Sequence, residues 1–229
     1  AIEHTAHAPP LRAEPHGTVA SANEGDTTVR AGSVSGFGAG MWGISAVSNQ
    51  GDVAVDVDAV TVVGDGAVGV RAIAYDGDVE IDAGSMIVNG SNSTGIQVIN
   101  VAEQGETAIR VDYVSVANPG ATAIAVQADN AVSIEAGAIL VGGEGGAGVS
   151  GFTETGPLSI HAREVHTQGN LALGVIAQSL SGDIDIDIGK LTTSGEGSDA
   201  VYAEGLEGDI RVRLEEVTTT GASADSLFA

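Results

Sequence analysis

Cysteine is absent from this chain of 229 residues, which excludes disulfides, thiolate catalysis and Cys-bound zinc. Aromatic residues are nearly as scarce, at 3%. A core with so few rings must be built from Val, Ile and Ala and must be narrow. Proline is low as well, 5 residues beside 34 glycines, so the chain is neither collagen-like nor a Pro-rich linker. Positive charge is short: 8 Lys and Arg face 31 Asp and Glu, a formal net charge of −23. A surface of that sign repels phosphate backbones and anionic headgroups, which sets nucleic acid aside as a partner. No run of about 18 apolar residues exists and no basic stretch precedes an apolar one, so neither a membrane span nor a signal peptide is read here. The missing cysteines leave the compartment open, although a large bacterial surface protein that crosses two membranes does well without them.

What is present is repetition. Hydrophobic residues make up 43% of the chain, enough for a core. The stretch Gly182-Asp-Ile-Asp-Ile-Asp-Ile188 alternates acid and isoleucine, and the same phrase recurs. Units begin at Gly25, Gly51, Gly77, Gly105, Asn130, Gly156, Gly182 and Gly208, with spacings of 26, 26, 28, 25, 26, 26 and 26. A fixed period of this length is the mark of a solenoid. Within a unit the third, fifth and seventh positions are apolar, as in Val53, Val55 and Val57 or Ile184, Ile186 and Ile188; only Thr27 and Thr107 break the rule. The sixth position carries Arg30, Asp56, Asp82, Arg110, Glu135, His161, Asp187 and Arg213. That is the wet half of a period-two pattern, a half-buried strand.

Two further strands are expected in each unit. The tenth position is apolar throughout (Val34, Val60, Met86, Val114, Ile139, Val165, Leu191, Val217), and the fourteenth is Gly except at Asn118, which predicts a left-handed turn. A third short strand should point Ile44, Val70, Ile96, Ile124, Val149, Val175, Val201 and Leu227 inward. Such units cannot bury their apolar faces alone, but stacked coil on coil they enclose one continuous core. The fold class is therefore all-β, a single-stranded parallel β-helix of about eight coils, each of about 26 residues. A left-handed hexapeptide helix needs about 18 residues per coil, and a calcium-binding β-roll needs a tandem Gly-Gly-x-Gly-x-Asp phrase, which Gly142 to Gly146 approach only once.

Units such as Gly-Asp-Ile-Asp-Ile-Asp-Ile-Gly-Lys-Leu-Thr-Thr-Ser-Gly-Glu-Gly, starting at Gly182, resemble the repeats of bacterial autotransporter passenger domains and related surface proteins. The likeness covers 25–229. It implies a right-handed β-helix exported to the outside of a Gram-negative cell, extracellular or held at the outer membrane. The expected role is that of a non-enzymatic stalk or adhesin-like segment whose partner is a host or cell-surface protein or glycan. With no C-terminal barrel the chain reads as a passenger piece, and the break at Ala229, position 22 of the eighth unit, reads as the cut edge of a longer protein or as a processing point.

Residues 1–24 lack the alternation and hold His4, His7, Pro9, Pro10, Pro15 and His16. They read as an arm or linker, with a partial strand at Thr18 to Ala20. A metal reading of the three histidines needs a fixed geometry that an arm does not offer. Acids raise the second metal question. Asp26, Asp52, Asp78, Glu106, Asp183 and Asp209 share the second position, so stacking lines them up about 4.8 Å apart. A short Asp at a turn usually caps backbone N–H groups; calcium, bound through Asp26, Asp52, Asp78, Asp183 and Asp209, is the other reading. In the next unit Arg211 and Arg213 occupy the outward places that match Asp185 and Asp187.

The competing function class is a β-helix that binds or cleaves polysaccharide, which needs cations and acids gathered in a groove. Lys190 is the only lysine, and unit lengths that deviate from 26 by at most two residues leave no room for long loops. Ser159, His161, Glu164 and His166 lie close in sequence, without a nucleophile-elbow phrase around the serine. A third class, binding through a flat Thr array, has Thr192, Thr193, Thr218, Thr219 and Thr220 in its favour and fades in earlier units. Phe37, Trp42 and Phe152 read as corner packing rather than sugar-stacking residues.

Overall fold

The computed structural model describes residues 2–4 and 16–227, and its elements are all strands. Nine of them form one parallel sheet: β1 (Ile2–His4), β3 (Thr27–Phe37), β5 (Val53–Val63), β7 (Val79–Asn89), β9 (Thr107–Ala117), β11 (Val132–Gly142), β13 (Leu158–Gln168), β15 (Ile184–Ser194) and β17 (Ile210–Thr220). Eight form a second: β2 (His16–Ala22), β4 (Trp42–Ser48), β6 (Val68–Ala74), β8 (Thr94–Asn100), β10 (Thr122–Ala128), β12 (Ala147–Thr153), β14 (Leu173–Ser179) and β16 (Val201–Gly205). Each of the first seven coils gives one strand to each sheet, and among the described residues the eighth gives β17 alone; the strands pair with their counterparts one coil away. The chain is a parallel β-solenoid of about eight turns, as the period requires.

Register follows the repeat residue by residue. Val53 pairs with Val79, Val55 with Ile81 and Val57 with Ala83, so apolar side chains stack as columns inside. Ile81, Ile109, Ile134, Ile160 and Ile186 form one such column, each no more than 1% exposed. The two threonines that break the apolar rule are buried too. Thr27 donates its hydroxyl to the Val47 carbonyl at 2.8 Å, and Thr107 accepts from the Asn100 amide at 3.3 Å.

Two strands per coil replace the three expected. Positions three to thirteen form one ladder of 11 residues, as in β5. The phase change that suggested a break is real, since Val57 and Val60 both point inward. It is made by a corner inside the strand, where position eight drops out of the pairing: Val57 pairs with Ala83 and Ala59 with Ser85, while Asp58 and Gly84 stand between them unpaired.

The predicted left-handed turn is found at every fourteenth position. Gly38, Gly64, Gly90, Asn118, Gly143, Gly169, Gly195 and Gly221 all have positive φ, between 103° and 158°. Conformation is only half the requirement, because a Cβ on Gly64 would collide with the carbonyl oxygen of Gly38 one coil away. Two residues on, a second left-handed position went unnoticed in the sequence; it holds Gly40, Gly66, Asn92, Gly120, Gly145, Leu171, Gly197 and Ser223, with φ from 53° to 71°. Its mixed occupancy hid it.

The strand expected at Thr18 to Ala20 runs from His16 to Ala22 and pairs with β4, and Ile2–His4 pair with Thr27–Val29. His7, Pro9, Pro10 and Pro15 lie outside the described residues, as do the side chains of His4 and His16 and residue Ala229. Leu227 is a correction: expected inside, it is 49% exposed. β17 is the outermost strand of its sheet, so the inward face of the eighth coil has no neighbour beyond it, and Ile210 on the same coil is likewise 36% exposed.

Candidate functional site

Stacking brings the second-position acids together as expected, but their partners are in the neighbouring coil. The Asp26 carboxylate accepts the Asp52 backbone N–H at 3.1 Å, Asp52 accepts that of Asp78 at 2.9 Å, and Asp78 accepts that of Glu106 at 2.8 Å. Asp183 accepts the N–H of Asp209 at 2.8 Å. Each acid thus ties its coil to the next rather than closing its own turn. The same device recurs at two other columns, from Asp65 to Ser91 and from Asp199 to Asp225. Among the described residues no group of three or more acids and histidines has the arrangement of a metal site.

Of the opening triplet, Asp183 sits in this turn ladder, whereas Asp185 and Asp187 lie on the outward face of β15. Arg211 and Arg213 stand opposite them in register, and the Arg213 guanidinium reaches Asp187 at 3.4 Å. Arg110 bridges two coils in the same sixth-position region, 3.3 Å from Glu80 and 3.5 Å from Glu135. Arg30 meets Asp56 at 3.9 Å. All these groups are solvated, so each pair contributes only tenths of a kcal/mol, to about 1.

The sixth and eighth positions flank an open groove of about 500 Å³ that crosses coils three to seven. Asp82, Arg110, Glu135, His161 and Asp187 form one wall. Asp112 and Arg163 rise from the other, and the floor is small: Val111, Ala136, Ala162, Gly137 and Gly189. The groove owes its shape to a regularity that the unit-by-unit reading missed. Position eight alternates Gly32, Asp58, Gly84, Asp112, Gly137, Arg163, Gly189, Glu215. At Gly84 and at Gly137 an added Cβ would strike the backbone oxygen of Asp58 and of Asp112, respectively. From the third coil onward, side chains at this corner therefore fit on every second coil only. Charged groups stand two coil heights apart, about 10 Å, with glycine gaps between them.

Ser159 and His161 lie on one face of β13, and the hydroxyl oxygen is 2.9 Å from Nε2 of the imidazole. His161 has Glu135 and Asp187 as its ladder neighbours. Glu164 and His166 are farther along the strand, beyond the corner, and pair with Lys190 and Thr192 instead. Among the described residues no carboxylate is bonded to His161, and the strand face that carries the pair is exposed; a catalytic serine–histidine pair relies on an orienting acid and a water-excluding pocket.

Phe37, expected to pack at a corner, is 75% exposed. Trp42 lies beneath the Arg71 guanidinium, 4.8 Å from its ring centre, and Phe152 is half-buried four coils away in β12. The threonine array is broken, since Thr193 points into the core while Thr192 does not. On the second sheet Glu204 accepts from Gln178 and from the Tyr202 hydroxyl, both at 2.9 Å. These bonds hold the Glu204 carboxyl below its ordinary range and push the Tyr202 phenol up. Comparison with protein-family models, with curated proteins and with solved structures gives no match for the chain.

Proposed function

We propose that this chain is a rigid, non-enzymatic spacer at a bacterial cell surface, a stalk or adhesin-like passenger segment of the autotransporter kind. The observation that carries the reading is the uninterrupted ladder from β1 to β17, in which seven successive coils repeat the same two strands. Eight steps of about 4.8 Å give a rod about 38 Å long. Interlocked backbone carbonyls, stacked apolar columns and carboxylates that bridge coils resist bending, which is what a spacer needs. Support also comes from the charge of −23, which keeps such a rod soluble and separate from like-charged surfaces. A surface protein or glycan is the partner that this placement offers.

Location is tested with antibody raised against the purified chain. Labelling of intact cells of a Gram-negative bacterium that makes the parent protein is the expected result, and labelling only after permeabilisation would overturn it. The non-enzymatic part is tested with pectin, alginate, casein and a generic ester. Turnover that disappears in His161→Ala would replace the spacer with an enzyme.

The alternative, a polysaccharide-binding or polysaccharide-cleaving solenoid, has one observation in its favour: the groove between positions six and eight. Its openness to water favours binding over cleavage.

A further inference from the structure

We infer that the groove across coils three to seven binds a linear, uncharged oligosaccharide laid along the solenoid axis. This deepens the adhesin reading given above and rests on it.

The argument begins with which groups are already engaged. Arg110 is held by Glu80 and Glu135, Asp187 by Arg213, and His161 by Ser159. Asp82, Asp112 and Arg163 line the same groove and have no ion-pair partner within 4.0 Å among the described residues. Three unengaged planar groups thus face a floor of Val111, Ala136, Ala162 and two glycines. Carboxylate and guanidinium groups each present two atoms in one plane, the geometry that bonds a pair of neighbouring hydroxyls. The small floor lets a sugar ring approach the backbone closely, and the gap at Gly137 separates Asp112 from Arg163 by two coils.

Shape and charge then select among ligands. An open groove along the axis encloses nothing, so a compact small molecule gains little there, whereas an extended chain adds a contact at every coil. Four carboxylates (Asp82, Asp112, Glu135, Asp187) against two guanidinium groups (Arg110, Arg163) leave the groove at −2. That charge, on a molecule of −23, disfavours a polyanionic glycan. A basic peptide would meet Arg110, Arg163 and His161 directly. An apolar peptide would find no large side chain to pack against. A polyhydroxyl chain satisfies both signs of planar group at once.

The experiment is calorimetric titration of the purified chain with cellohexaose, mannohexaose and maltohexaose, alongside hexagalacturonate and hexalysine. At least one neutral hexasaccharide should bind more tightly than either charged probe. Arg163→Ala and Asp112→Ala should each weaken it about tenfold or more while the melting temperature is unchanged. Glu144→Ala, on the turn at the far end of the strand, should leave binding as it was. The inference is overturned if no neutral probe binds at millimolar concentration, if a charged probe binds tighter, or if binding survives both groove substitutions. Surface labelling is independent of this result. Labelled cells with no sugar binding remove the site and leave the spacer; sugar binding with labelling only after permeabilisation removes the location alone.

Discussion

The Asp52 carboxylate is bonded to a backbone N–H that belongs to the next coil, at Asp78. Removing it leaves that donor to water at a solvated edge, so Asp52→Ala should cost about 1 kcal/mol, while Asp52→Asn, which keeps an oxygen in place, should cost less than half of that. Urea denaturation of the two variants checks the order, and equal losses would show that charge rather than the hydrogen bond matters. Inside the core the balance is reversed. The hydroxyl of Thr167 is buried and has no hydrogen-bond partner among the described residues, in a column whose neighbouring coil holds Val141. Thr167→Val keeps the shape and removes an unpaired polar group, and it should raise stability by about 1 kcal/mol, read as a higher melting temperature. Leu171 shows a third kind of cost, since its φ of 57° is a conformation in which a β-carbon is strained.

Within the long strand, the corner at position eight sets what each coil can carry. Because a β-carbon at Gly137 would press on the Asp112 carbonyl, Gly137→Asp should destabilise the solenoid by about 2 kcal/mol or more. The converse change, Asp112→Gly, removes an exposed side chain and should cost under about 1 kcal/mol, the usual penalty for glycine in a strand. Calorimetric melts of both proteins test the asymmetry; similar losses would mean that the alternation is not steric. The insertion between β8 and β9 shows the same economy. Asn100 is buried and bonds to the Ala102 N–H, the Glu106 carbonyl and the Thr107 hydroxyl, so two additional residues are absorbed without moving the next strand.

Across the whole molecule the columns act together. Ile186 lies between Ile160 and Val212 in the ladder and is fully buried. Ile186→Asp places an unpaired carboxylate in that column and should cost more than about 4 kcal/mol, visible as loss of the cooperative melt or as its displacement by tens of degrees. An unchanged melting temperature would mean that inward and outward faces are reversed. Since each coil contacts only its neighbours, the damage should begin locally; hydrogen exchange would show lost protection in β13, β15 and β17 before β3 and β5.

Much of this was legible in residue order because a solenoid repeats one local rule. Alternation at the third, fifth and seventh positions assigns each side chain a face, and a period near 26 assigns it a column, so the acid–isoleucine run at Asp183 to Ile188 reads correctly as one turn residue followed by a wet face and a dry one. The fourteenth-position turn was visible for the same reason: glycine there answers both a dihedral and a close approach. The number of strands was not visible, because a corner inside one continuous strand changes the inward phase just as a gap between strands would. Nor did the sequence reveal whose N–H each Asp accepts, or why position eight alternates. Both depend on the distance between coils, and that distance is set when backbones stack. The groove arises in the same way, since its walls come from residues about 26 apart that share a surface only after the chain has wound.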